Sequence, residues 1–64
     1  MDLSRDRLDR LIEQHIFNER DRRILRRRWF DKINFEPLSE EFKLSERRTK
    51  DIVYAAEKLL IKYI

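Results

Sequence analysis

Glycine is absent from this 64-residue chain, and Pro37 is its only proline. Tight β-hairpin turns and phosphate-cradling loops need residues that reach positive φ without a Cβ clash, and glycine is the usual supplier. Without it the chain is steered away from all-β architectures and nucleotide-binding loops. Strong helix formers such as Leu, Arg, Glu and Lys dominate instead, so the expected fold class is all-α. At this length there is room for one domain with one small core, in which backbone entropy nearly cancels apolar burial. Apolar residues make up 41% of the chain and charged residues 45%, so most of the surface must be charged.

Cysteine is also absent, which excludes a disulfide framework and a thiolate zinc site and fits a reducing cytoplasm. No apolar run approaches the length of a membrane span. The N-terminal MDLSRDRLDR is too charged for a signal peptide. The expectation is a cytoplasmic protein with no membrane partner.

The net charge of +3 hides a block pattern. Residues 1–19 carry three basic and five acidic groups, net −2, and residues 20–32 carry seven basic and two acidic, net +5. Residues 33–46 carry one basic and four acidic, net −3, and residues 47–64 carry five basic and two acidic, net +3. Acidic and basic blocks therefore alternate, and a clustered basic block is the electrostatic footprint of an anionic partner.

Periodicity and capping residues divide the chain into four helices. Ser4 is the first N-cap, and Leu8, Leu11, Ile12, His15 and Ile16 form an apolar stripe behind it. An Asp6–Arg10 pair has i,i+4 spacing on the outer side. Asn18, with Asp21 three residues on, starts a second helix whose apolar face is Ile24, Leu25 and Trp29. Asp31-Lys32-Ile33 is a short connection. Asn34 caps a third helix with Pro37 in its first turn and Leu38 and Phe42 pointing inward. Lys43-Leu44 is a turn, and Ser45 caps the fourth helix, with Thr49, Ile52, Val53, Ala56, Leu59, Leu60 and Tyr63 as its buried stripe. Arg47, Lys50, Asp51, Tyr54 and Lys58 follow at three- and four-residue steps on the opposite face. A short helix, a tight turn and a charged second helix, over Asn34 to Tyr54, is the layout of a helix-turn-helix, whose second helix enters the DNA major groove.

The segment from Asn18 onward resembles the promoter-reading region 4 domain of bacterial sigma factors and small sigma-like phage regulators. NERDRRILRRRWF is similar to a PERERRVLRLRYF-like helix, KINFEPLSEEFKLS to a GLSYEEIAELLGIS-like helix and turn, and SERRTKDI to an SRERVRQI-like start of the recognition helix. The resemblance divides the single domain, residues 1–64, into an N-terminal helix at 1–17 and a helix-turn-helix unit at 18–64. It implies a sequence-specific, double-stranded-DNA-binding transcription regulator that acts with RNA polymerase. In the place of the family's turn glycine stands Lys43, so the backbone there is either strained at positive φ or rearranged. Arg27 replaces an aliphatic, and Glu46 and Asp51 stand where a basic base-reader and a glutamine are common. The other sigma domains are lacking, so the implied role is that of an accessory regulator.

The DNA-contact set expected on this basis is Arg26, Arg27, Arg28, Asn34 and Phe35, with Ser45, Glu46, Arg47, Arg48, Lys50, Asp51 and Tyr54 on the reading helix, 45–64. Arg and Lys donate to guanine O6 and N7, whereas Glu46 and Asp51 help only by accepting from cytosine N4. Arg22–Arg26 and Arg23–Arg27 are like-charge i,i+4 pairs, which cost a helix a few tenths of a kcal/mol each. Their counter-charge is either phosphate, with Arg28 the favoured backbone contact, or the chain's own Glu36, Glu40 and Glu41. Trp29, Phe30, Phe35 and Phe42 read as core aromatics, and His15 as a core-edge histidine.

No nucleophile is paired with a base and no residues have metal-ligand spacing, so no enzyme activity, metal or cofactor is expected. In the tail, Ile61 and Ile64 fall off the buried stripe, which suits a protein contact through 59–64: a homodimer, RNA polymerase, or packing on the first helix. The alternative class is a protein-interaction module in which the acidic third helix and the tail bind polymerase or another protein, as an inhibitor for example. A DNA-packaging or replication-initiation module is a third option.

Overall fold

In the computed structural model residues 4–63 are described. They form four helices, α1 Arg5–His15, α2 Glu19–Trp29, α3 Phe35–Glu41 and α4 Glu46–Leu60, closed by a 3-10 turn at Ile61–Tyr63. No strand occurs among the described residues, so the domain is all-α. Ile64 lies outside the described residues, as do Met1, Asp2 and Leu3.

The helix starts follow the capping chemistry of the sequence. Ser4, Asn18 and Ser45 sit in extended backbone and accept from the amides of Arg7, Asp21 and Arg48 at 3.2, 3.2 and 3.0 Å, each satisfying one of the unpaired first-turn donors. Asn34 holds the cap position of α3, but its side chain makes no cap hydrogen bond. The expected Asp6–Arg10 ion pair is likewise not formed among the described residues, where Asp9 instead reaches across to Arg26 on α2.

The turns that end α2 and α3 each hold a lysine at positive φ. After α3, the Lys43 amide donates to Glu40 O at 3.2 Å and the Leu44 amide to Ser39 O at 2.9 Å, with Lys43 at φ 57°. This is a Schellman closure, which places a left-handed residue just beyond the helix. Of the two outcomes open at Lys43, the left-handed backbone is the one adopted. Lys32 takes the same conformation, φ 56°, in the wider turn that ends α2.

The core is aliphatic. Leu11, Ile12, Ile16, Ile24, Leu25, Leu38, Ile52, Val53, Ala56 and Leu60 are buried, and they come from all four helices and the link after α1. α1 thus closes the same core as α2, α3 and α4. Trp29, Phe30, Phe35 and Phe42, expected inside, are only half-buried and pack against its edge. The rings lie at the rim, two of them with cations over them: Arg5 over Phe30 at 4.8 Å and Arg23 over Phe42 at 5.6 Å. The tail corrects two further expectations. The α-helix stops at Leu60, and Tyr63 is 45% exposed, stacked on His15 at 3.8 Å. Leu59 is half-buried.

Candidate nucleic-acid interface

One ring organises the site. Phe35, the first residue of α3, has the Arg28 guanidinium 4.4 Å above it, the Lys50 ammonium 5.7 Å away and the Tyr54 ring edge-on at 5.7 Å. Three helices therefore meet at one aromatic residue, because α2 ends where α3 begins and α4 packs across both. Arg28 is fixed a second time, donating from Nη1 to Ile33 O at 3.1 Å. A planar guanidinium held by stacking and one hydrogen bond keeps further N–H groups for an acceptor outside.

A shallow groove of about 430 Å³ runs beside this cluster, lined by Arg28, Trp29, Lys32, Asn34, Tyr54 and Glu57 among others. Asn34, unused as a cap, lines it with both an amide donor and an acceptor. The geometry thus brings together Arg28, Asn34, Phe35, Lys50 and Tyr54 from the expected set. It adds Lys32 and Trp29, which sequence reasoning missed. The available signal for Lys32 was its place two residues before the α3 cap, Asn34, in a link too short to carry it away from Arg28.

α4 presents Arg47, Asp51, Tyr54 and Lys58 outward, all exposed, with Lys50 half-buried on the Phe35 flank. Glu46 pairs with Lys50 at 3.3 Å and sits in the first turn, where a carboxylate also complements the helix dipole. Ser45 is occupied as the cap, through Oγ to the Arg48 amide and through its carbonyl to Thr49 Oγ1 at 3.0 Å. Arg48 and Asp51 line a different groove, on the opposite flank of α4, together with Ile16, Asp21, Ala55 and Leu59. Among the described residues Arg47, Arg48 and Lys58 make no ion pair.

The other α2 arginines are committed within the chain. Arg26 donates to Asp9 at 2.7 Å and also binds Glu13. Arg22 pairs with Glu13 and donates to two carbonyls at the end of α1, those of Ile16 and Glu13, supplying partners that a helix C-terminus otherwise lacks. Arg27 makes a fork to Glu41 at 2.7 and 2.9 Å and reaches Asp31 at 2.9 Å. These hydrogen bonds hold the Glu41 carboxyl below its ordinary pKa and raise the Arg26 and Arg27 guanidinium groups above theirs. Of the acids expected to oppose the arginines, Glu41 does so, while among the described residues Glu36 and Glu40 make no ion pair; Asp9, Glu13 and Asp31 take their place. Arg26 lies in a groove with Arg5, Asp6 and Phe30, away from the Phe35 cluster.

Among the described residues no three His, Cys, Asp or Glu side chains gather to hold a metal ion, and no helix is long and apolar enough to cross a membrane. No family model, curated protein or solved structure matches the chain.

Proposed function

We propose that the chain is a helix-turn-helix regulator of transcription, similar to sigma region 4, that binds double-stranded DNA with α4 in the major groove and acts alongside RNA polymerase. The observation that carries this reading is the convergence of Arg28, Lys50 and Tyr54 on Phe35, with Asn34 lining the groove beside it. It joins the flank of α4 to the α2–α3 junction in one basic, aromatic-edged surface. In this arrangement Arg47 and Lys50 reach base edges, Tyr54 contributes an apolar edge, and Arg28 with Lys32 and Asn34 holds phosphates. Lys50 exchanges Glu46 for an acceptor on DNA, which frees the Glu46 carboxylate to accept from a cytosine amine.

Selection of bound sequences from random duplex DNA, with and without RNA polymerase, tests the reading. A salt titration of the selected duplex then follows. Arg47→Ala with Lys50→Ala is expected to cost about 1–3 kcal/mol per lost base contact, and Arg28→Ala to lower the log–log salt slope by about 1. No duplex binding at low salt, alone or with polymerase, sinks the proposal.

A second reading is favoured by the neutralisation of Arg22, Arg26 and Arg27 inside the fold, which lowers the charge available to DNA. On that reading the chain is a protein-interaction module. Co-purification with polymerase that survives nuclease treatment, without selected DNA, supports it.

A further inference from the structure

We infer that the flank of α4 facing away from the Phe35 cluster is a self-association surface, occupied by the same flank of a second copy of this chain. Phe17, in the three-residue link between α1 and α2, is 84% exposed, more than any other large apolar side chain described. Ile16, the residue before it, and Asp21, in the first turn of α2, both line a groove of about 400 Å³ that continues along α4 over Ala55 and Leu59. An exposed ring therefore sits in the link whose first residue, Ile16, lines this open apolar groove.

A two-fold axis over such a face satisfies both features at once, because each copy's ring enters the other's groove. The charges on the rim point to the same occupant. Arg48 and Asp51 border the groove and neither makes an ion pair among the described residues. A patch holding one unpaired charge of each sign is complementary to itself under a two-fold operation, whereas Asp21 and Asp51 repel phosphates. Asp51, out of place on a base-reading surface, thus belongs to a protein contact. α4 is divided lengthwise: Lys50 and Tyr54 on one flank, Arg48, Asp51, Ala55 and Leu59 on the other.

Sedimentation equilibrium of the full chain, up to roughly millimolar concentration, tests the inference. The mass is expected to rise from 8.1 kDa toward twice that value. Phe17→Ser, at an exposed link position, is expected to weaken association about tenfold or more with helical circular dichroism unchanged. Arg48→Asp is expected to weaken it too, and Arg48→Asp combined with Asp51→Arg to restore it. A mass of one chain at every concentration overturns the inference, as does a dimer indifferent to both Phe17→Ser and Arg48→Asp. The inference is independent of duplex binding: a monomer that still binds its selected duplex removes the dimer alone.

Discussion

Lys32 and Lys43 both hold a left-handed backbone that L-residues enter at a cost of about 1–2 kcal/mol. At Lys43 the cost is met by the two hydrogen bonds that close α3, from the amides of Lys43 and Leu44. Lys43→Gly removes the Cβ clash but loosens the unfolded chain, worth about 0.5–1 kcal/mol in the other direction. The expected net result is a gain of about 0.5–1 kcal/mol, read as a higher urea midpoint at unchanged slope. A lower midpoint would show that the lysine stem contributes packing that outweighs its backbone cost. The position of this turn was legible in the sequence, because Ser45 marks the next helix start. Whether the turn would strain or rearrange was not, since that depends on which carbonyls the following amides reach. The connection at Asp31-Lys32-Ile33 was legible too, but nothing in it marked Lys32 as the left-handed residue, since no glycine stands there.

α2 carries more arginines than one helix face can use, and its neighbours divide them. α1 takes Arg22 and Arg26, the end of α3 takes Arg27, and the rings of Phe42 and Phe35 take Arg23 and Arg28. The like-charge i,i+4 pairs Arg22–Arg26 and Arg23–Arg27 are tolerated because each of these four cations has a counter-charge or ring on another element. The caps and apolar stripes that define the helices rest on residues a few positions apart, so they were readable. The ion pairs between helices span 9, 13, 14 or 17 residues and become neighbours only after α1, α2 and α3 pack. Arg26 links α1 to α2 by binding two carboxylates on consecutive turns of α1. Arg26→Ala is expected to destabilise the domain by about 1 kcal/mol and to speed amide exchange across α1. Arg20→Ala, which breaks only an exposed pair with adjacent Asp21, is expected to stay within about 0.5 kcal/mol of the parent. Equal losses from the two variants would remove the special role of Arg26.

The whole molecule places its aliphatic side chains at the centre and its large rings around them. The sequence pattern told apolar from polar positions well, but it could not rank the apolar ones by depth. Trp29 lies four residues after Leu25 and Phe42 four after Leu38, yet only the leucines are fully buried. The same limit hid Phe17, whose exposure depends on how the α1–α2 link turns. Placing the rings outside gives the chain a built-in optical reporter. Trp29 is its single tryptophan, and it lines the groove shared with Arg28, Asn34 and Tyr54. Its emission is expected to shift or quench when a duplex covers that groove, and to stay constant when copies associate through the Phe17 flank. Titrating DNA and then protein concentration, at one excitation wavelength, would therefore separate the two contacts without a label; a response to dilution alone would show that the flanks are coupled.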